Sequence, residues 1–172
     1  AAAAFASAIA AQPDNVLAHF NLAIALEAQG KATEALDHYA AAVRWQPESA
    51  VGHHALGVAL GMQGRTNEAI RALSEAARLR PDWALARNSL ALALAAAGRF
   101  DDAIGQGREA VRLEPDNPEW HSNLSGMFEE RGEFRAAIAQ LELALRLSPK
   151  HPGAPVWHYN LAVLFDRVGE RP

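Results

Sequence analysis

Apolar side chains recur at helical spacing along this chain, in short stretches that Gly or Pro residues interrupt. Residues 50–81 show the pattern best, because spacings of three and four residues place their apolar side chains on one face of a helix. A first apolar stripe ends at Gly64 and a second ends at Pro81. The stripe positions are Leu56, Gly57 and Leu60, followed by Ala69, Leu73, Ala76 and Leu79. The segment therefore predicts two consecutive helices joined by a glycine turn.

Five prolines repeat this pattern at a constant interval of 34 residues. Because proline cannot continue a helix, each one marks the end of a helical pair. A fixed period of this length indicates a repeat array whose core is shared between neighbouring units. The five positions are Pro13, Pro47, Pro81, Pro115 and Pro149.

The period divides residues 1–172 into a single array. We call the first helix of each repeat helix A and the second helix B. Residues 1–13 form a half repeat with helix B only, and residues 150–172 form a half repeat with helix A only, after a three-residue insertion. We therefore expect the sequence to belong to a longer protein. The full repeats span residues 14–47, 48–81, 82–115 and 116–149.

The unit resembles the tetratricopeptide repeat (TPR), whose pattern is W-x2-L-G-x2-Y, then A-x3-F, then P. His53 replaces the aromatic residue at the first of these positions. The resemblance covers nearly the whole chain and implies an all-α fold, an α-solenoid of antiparallel helix pairs wound as a right-handed superhelix. The matching residues of the second repeat are Leu56, Gly57, Leu60, Ala69, Leu73 and Pro81.

Local signals place several helix ends. Gly30 is expected to end helix A of the first repeat in a left-handed turn. Thr33 and Asn67 are expected to cap helix B of the first two repeats. Asn117 and Pro118 should begin helix A of the fourth repeat.

Two segments depart from the repeat pattern. Gly105 and Gly107 weaken helix B of the third repeat, which we expect to be the least stable part of the array, with Phe100 filling the space of the missing side chain. The last helix is expected to turn four side chains inward. These are His158, Leu161, Ala162 and Phe165.

The resemblance implies that the second, fifth, ninth and twelfth positions of helix A line a concave groove, since they share a helical face. Most of these side chains are apolar, which is typical of a binding surface; alternatively, neighbouring A helices bury them against one another. We expect an apolar peptide segment with a basic residue near the acidic positions. The groove residues are Leu17, Phe20, Ile24, Glu27, Val51, His54, Val58, Leu85, Asn88, Leu92, Glu119, Glu129 with its neighbour Glu130, Tyr159 and Val163.

Asparagine occupies the sixth position of helix A in Asn21, Asn123 and Asn160. The array is similar to that of O-linked N-acetylglucosamine transferase, which implies that these amides hold a peptide backbone. The ladder is interrupted by Ala55 and Ser89. The interpretation that we favour is a local bond within each helix.

Histidine recurs at the fourth position of helix A, in His19, His53, His121 and His158. Successive repeats stack about 10 Å apart, too far for these rings to share one zinc ion. We therefore expect no metal and no cofactor, and interpret the histidines as packing residues. No serine or threonine lies beside a base in a strained turn, so no catalytic site is expected.

Composition narrows the partner class. The net charge of -4, without a basic cluster, disfavours nucleic acid. No apolar run is long enough for membrane insertion. Cysteine is absent, which excludes disulfides and thiolate chemistry but does not decide between cytoplasm and periplasm.

Together these features predict a non-catalytic scaffold that binds a protein or peptide and helps to assemble a larger complex. Two alternatives stay open: the substrate-recruiting segment of a larger enzyme such as a glycosyltransferase, and a module of envelope export or polysaccharide secretion. Exposed terminal helices also predict self-association into a homo-oligomer. The residues expected at the C-terminal face are Trp157, Tyr159, Leu164 and Phe165.

Overall fold

A computed structural model describes residues 2–170, which form ten helices and no strand. Short connections between consecutive helices make neighbours antiparallel. The helices are α1 (Ala2–Ala11), α2 (Val16–Glu27), α3 (Ala32–Trp45), α4 (Ala50–Met62), α5 (Thr66–Leu79), α6 (Ala84–Ala96), α7 (Phe100–Leu113), α8 (Pro118–Arg131), α9 (Phe134–Leu147) and α10 (Ala154–Arg167).

The chain divides into two compact units after Pro81. In unit 1, α2 pairs with α3 and α4 pairs with α5, while α1 packs on α2 and α3 packs on α4. In unit 2, α6 pairs with α7 and α8 pairs with α9, while α7 packs on α8 and α9 packs on α10. Within each unit, therefore, every helix packs mainly on its neighbours in sequence, as in a repeat array.

A glycine with positive φ, between 72° and 83°, follows each A helix of the described chain within three residues. In the first repeat, Gly30 N–H donates to the Glu27 carbonyl at 2.9 Å and Lys31 N–H donates to the Leu26 carbonyl at 2.9 Å. These bonds satisfy carbonyls that have no partner inside the helix. The expected role of Gly30 is confirmed, and the turn residues are Gly30, Gly64, Gly98, Gly132 and Gly169.

The expected caps of the B helices were wrong. Because the glycine turn leads almost directly into the next helix, α3 already begins at Ala32 and α5 at Thr66, ahead of Thr33 and Asn67. The residue before each B helix carries no side-chain cap. Instead, Arg65 forms a bidentate pair with Glu68, at 2.7 Å for both bonds.

By contrast, the start of α8 agrees with its sequence signal. Asn117 Oδ1 accepts from Glu119 N–H at 3.1 Å, and Pro118 is the first helical residue. Proline fits there because its missing N–H has no partner in the first turn in any case.

Helix A meets helix B through small residues. Ala35, the first buried residue of helix B, has no exposed surface, and its equivalents in the other repeats have none either. In the fourth repeat the A-helix residue is Ser125, whose hydroxyl donates to the Ala137 carbonyl at 2.8 Å. Only small side chains allow the two helix backbones to come this close. The B-helix positions are Ala35, Ala69, Ala103 and Ala137, and the A-helix positions are Ala23, Gly57, Ala91 and Ser125.

The space beside Gly107 is filled differently from the expectation. A Cβ atom at Gly107 would lie 3.1 Å from Leu124 Cδ1 and 3.2 Å from Met127 Sδ. Both side chains belong to α8, so the next repeat supplies the apolar volume. Phe100, the first residue of α7, is half-buried and does not take this place.

The last helix has a different inward face from the expected one. Trp157 and Leu164 are buried, with exposures of 6% and 0%, whereas His158 and Ala162 are exposed. The expected phase is therefore displaced by one residue. The cause lies at the start of α10, where the Trp157 ring stacks on the His151 ring with centroids 4.6 Å apart.

Gly57→Ala is expected to lower the free energy of unfolding by about 1–3 kcal/mol. The new Cβ would lie 2.6 Å from Leu73 Cγ and 3.2 Å from the Ala69 carbonyl oxygen, so the helix pair must separate. Gly61→Ala on the same helix is the matched control, since its Cβ would meet only Ala69 Cβ at 3.8 Å. Urea denaturation measures both, and equal effects would contradict the close-contact explanation.

Gly105→Ala should raise the free energy of unfolding by about 0.5–1 kcal/mol, because alanine favours helix and the added Cβ meets no atom within 4 Å. Gly107→Ala should gain less, since Leu124 and Met127 must move. Thermal and urea unfolding of both variants test this order. A larger gain for Gly107→Ala would show that α8 leaves a real void there.

Candidate functional site

Unit 1 carries an exposed apolar surface on its two complete A helices. We call it the groove face of unit 1, and it comprises Leu17, Phe20 and Ile24 of α2 with Val51, His54 and Val58 of α4. Four of these side chains stay exposed, with fractions of 69% for Leu17, 47% for Ile24, 42% for Val51 and 38% for Val58. Phe20 and His54 are half-buried. Neighbouring helices therefore do not bury this face.

A cleft of ≈ 380 Å³ opens at one end of the groove face. Three helices contribute to its wall, since α2 and α4 begin there and α3 ends there. Most of the wall is apolar, and the polar groups come from Gln46 and Ser49. The lining residues are Val16, Leu17, Phe20, Ala42, Gln46, Ser49, Val51 and Gly52.

Tyr39 of α3 holds the Phe20 ring in place. It packs edge-on against Tyr39, with ring centroids 5.5 Å apart and planes at 69°. The Tyr39 hydroxyl donates to Glu27 Oε2 at 2.8 Å. Burial, and then this bond to a carboxylate, raise the pKa of Tyr39, so the hydroxyl keeps its proton. Glu27, the acidic position of this helix, is thereby directed towards Tyr39.

The groove face of unit 1 is uncharged at neutral pH. Its single titratable side chain is His54, and burial lowers the pKa of that imidazole below its usual value. His54 is therefore neutral at pH 7. A ligand on this face meets aliphatic, aromatic and neutral imidazole groups.

In unit 2, the A-helix surface is partly apolar and partly occupied by internal bonds. Leu85 and Leu92 of α6 are exposed, at 39% and 46%. Asn88, expected in the groove, is instead buried at 4%, and its Oδ1 accepts from Asn123 Nδ2 at 3.1 Å. The amide of Asn123 therefore joins two A helices, which neither the peptide-ladder nor the local-bond interpretation predicts.

The other two asparagines do not extend this contact. Asn21 of α2 is half-buried within unit 1. Asn160 is half-buried on α10, where the displaced phase removes it from the register of Asn123. Sequence position alone therefore does not bring these amides into one row.

The acidic residues of α8 do not form one cluster. Glu119 opens the helix and Glu129 and Glu130 close it, so about 15 Å of helix separates the two ends. Glu119 Oε1 lies 3.5 Å from His151 Nε2, and Glu129 Oε1 lies 3.8 Å from an Arg167 nitrogen. One basic residue of a ligand cannot reach all three carboxylates, contrary to the expectation. Glu130 is exposed.

The surface of α10 also differs from the expectation. Tyr159 is exposed at 71%, and Val163 is half-buried. Of the residues expected to be available for self-association, Trp157 and Leu164 are buried in the helix packing and Phe165 is half-buried. Of that set, Tyr159 is the one exposed side chain.

The recurring histidines bind the preceding turn. His19 Nε2 lies 2.9 Å from the Pro13 carbonyl oxygen, and His53 Nε2 lies 2.9 Å from that of Pro47. His121 makes the equivalent contact at 2.8 Å. Each of these three histidines follows its proline by six residues, a spacing visible in the sequence that a packing interpretation overlooks; His158 follows Pro149 by nine and is exposed.

Neither a metal cluster nor a membrane-crossing helix is found within residues 2–170. Among those residues, no group of three or more His, Asp or Glu side chains is arranged to hold a metal ion. None of the helices described there has the length and apolar character needed to cross a membrane.

A family profile described as tetratricopeptide repeat matches residues 1–50, 54–118 and 97–155. The chain belongs to the tetratricopeptide repeat family. A comparison with curated proteins finds no match.

Several solved structures are similar to this TPR chain. MamA from Desulfovibrio magneticus is 17% identical with a TM-score of 0.82, over 90% of this chain and 86% of that one. YrrB, described as a TPR protein with an unusual peptide-binding site, is 20% identical with a TM-score of 0.80, over 99% and 87%. A thermophilic TPR protein from Thermus thermophilus is 26% identical with a TM-score of 0.75, over 94% and 89%. The fold is therefore an all-α TPR solenoid, a class that serves in general as a protein-interaction scaffold.

Asn123→Ala should lower the free energy of unfolding by about 1–3 kcal/mol, because the buried Asn88 Oδ1 loses its donor. Ser122→Ala, one residue earlier on the same helix, is the control and should change stability by less than about 0.5 kcal/mol. Chemical denaturation compares the two. Equal, small effects would mean that water replaces the lost amide.

Proposed function

We propose that this TPR chain binds an apolar segment of a partner protein on the groove face of unit 1. The observation that carries the proposal is the exposure of Leu17, Ile24, Val51 and Val58 side by side with an apolar cleft. Surfaces of this kind on soluble proteins mark interaction sites.

The cleft supports a specific mode of binding. Its volume of ≈ 380 Å³ falls in the range of sites that enclose a small ligand, and it accommodates a bulky apolar side chain. Phe20 offers a ring at the edge of the cleft that is already positioned by Tyr39. A preformed aromatic wall lowers the entropy cost of binding. We therefore expect one Leu, Ile, Met or Phe side chain of the partner to anchor there.

Charge favours a partner segment that is neutral where it crosses this face. Burial of a carboxylate or an ammonium group against Ile24 and Val58 without a counter-charge is costly. In unit 2, Glu119 and Glu129 of α8 lie near basic side chains of the chain itself, whereas Glu130 is exposed. A basic residue of a partner that binds unit 2 would therefore pair with Glu130. We propose that such contacts let the chain assemble a larger complex.

The test uses the purified chain and a library of synthetic peptides that carry one or two bulky apolar residues at varied spacing. The tightest peptide is then titrated calorimetrically against Phe20→Ala, Ile24→Asp and Val58→Asp. Each variant should weaken binding about tenfold or more, since each removes an apolar contact or adds a charge to be buried.

Ser74→Asp is the control, because it adds the same charge on an exposed position of α5. Circular dichroism confirms that each variant is folded before binding is compared. Unchanged affinity in all three groove variants would refute the site. If Ser74→Asp weakened binding equally, the effect of the two Asp variants would come from long-range charge and not from the groove face.

A further inference from the structure

The fourth residue of helix A repeatedly pairs with a polar residue on helix B of the same repeat. Three such pairs are present in the described chain, each with partners 19 residues apart. The second repeat differs, since Ala72 occupies the partner position. The pairs are His19 with His38, Arg87 with Gln106, and His121 with Gln140.

His19 is the centre of a chain of two hydrogen bonds in unit 1. Its Nε2 lies 2.9 Å from the Pro13 carbonyl oxygen, and its Nδ1 lies 2.9 Å from His38 Nδ1. The ring is buried, with 7% of its surface exposed. One imidazole thus fastens the turn between α1 and α2 to α3.

These contacts determine where the protons lie. A carbonyl oxygen only accepts, so His19 Nε2 must carry a hydrogen. In neutral His19 the acceptor is then Nδ1, and the bond between the rings requires His38 Nδ1 to donate. The geometry therefore assigns the Nε2–H tautomer to His19 and the Nδ1–H tautomer to His38.

The folded pair can bind one additional proton but not two. A first proton on His38 Nε2 leaves its Nδ1–H free to donate to His19. A second would have to go to His19 Nδ1, where two donors on two cations would then face each other at 2.9 Å. In the unfolded chain both rings bind protons independently near pH 6.5. The unfolded state therefore takes up more protons in acid, and the pair loses stability as pH falls.

The fourth repeat provides a natural contrast. His121 Nε2 lies 2.8 Å from the Pro115 carbonyl oxygen, and His121 Nδ1 lies 2.7 Å from Gln140 Oε1. Both partners are oxygens, and an amide can also turn over to offer its NH₂ group. His121 can therefore be neutral or doubly protonated without losing either bond. The same position is tolerant of acid when its partner is glutamine.

The charges around His38 likewise oppose a doubly protonated pair. Burial, and next the charge of His19, lower the pKa of His38, while the carboxylates of Asp37 and Glu34 on α3 act in the opposite direction. Among the described residues, α1 contributes no titratable side chain. On α2, Glu27 accepts from Tyr39.

Helix α4 also packs on α3 and carries two histidines. His53 contacts the Pro47 carbonyl oxygen through Nε2, and burial lowers the pKa of His54. Because the two rings are in contact, the protons belong to the pair, and the sign for the pair is then clear. A folded-state pKa below the unfolded value of about 6.5 means that stability is full above that pH and decreases as pH falls below it.

We propose that the His19–His38 pair is an acid-sensitive link, which holds residues 12–15 and α1 against α2 and α3 at neutral pH and holds them less firmly in acid. The equivalent pair of His121 and Gln140 lacks this sensitivity. The link also borders the cleft, since Val16 and Leu17 directly follow the turn that it fastens. Weaker peptide binding in acid would follow, and that consequence alone rests on the proposed function.

Amide hydrogen exchange on the whole chain tests the link without any peptide. Rates at about pH 7.5 and about pH 5.5 are compared after correction for intrinsic exchange. In the natural chain, protection across residues 2–19 should fall about fivefold in acid, the population change expected from loss of one ordinary hydrogen bond. His38→Gln copies the fourth-repeat pair into the first repeat and should abolish this difference.

Gln140→His provides the reverse exchange and should make residues 114–121 acid-sensitive in turn. Equal acid sensitivity of the natural chain and His38→Gln would overturn the proposal. Should His38→Gln not fold, Gln140→His decides by itself, and unchanged protection of residues 114–121 in acid would reject the mechanism. An altered peptide affinity plays no part in either outcome, so the link and the groove can fail separately.

Discussion

The close crossing of helix A and helix B is the constraint on which the rest of this structure depends. Ala35, Ala69, Ala103 and Ala137 have no exposed surface, and Gly57 and Ser125 lie directly against the backbone of the opposite helix. With backbones so close, larger side chains above and below the crossing interdigitate and form the core. The crossing fixes which face of each helix is buried. It therefore also fixes which face remains for neighbours and ligands.

An exposed apolar face follows from that arrangement in unit 1. Helix α2 buries Leu22, Ala23 and Leu26 against its partners, yet it also presents Leu17 and Ile24 to solvent. A helix with apolar residues on two sides has little amphipathic character. The hairpin requires only the first face. The second face lowers solubility. We propose that it is present because a partner protein covers it.

Much of the fold could be predicted from the sequence because the repeat signals are local. Proline at a constant interval ends each helical pair, and the turn glycines need only their own positive φ. The prediction at Gly107 failed because a contact with another helix decided the outcome. Nothing near Gly107 in sequence shows that Leu124 and Met127 fill its place. The phase of α10 failed for a different reason: an insertion breaks the period, and Trp157 stacks on the nearby His151.

The site shows the same division between local and distant causes. Exposure of Leu17, Ile24 and Val58 could be predicted, since position within the repeat determines the face. Burial of Asn88 could not, because its partner Asn123 lies 35 residues away and in a different register position. Polar side chains are the less predictable part, since a buried amide takes whichever donor or acceptor the assembled structure offers.

This difference separates what holds the array together from what distinguishes its repeats. The small-residue crossing is nearly the same in every repeat, whereas the polar pair beside it changes from two imidazoles to a guanidinium with an amide, and then to an imidazole with an amide. Because each repeat of a solenoid touches only its neighbours, a change in one pair acts locally. One architecture can therefore carry repeats with different responses to charge and protonation. The polar pairs of the first, third and fourth repeats, more than the shared core, give those repeats their own chemistry.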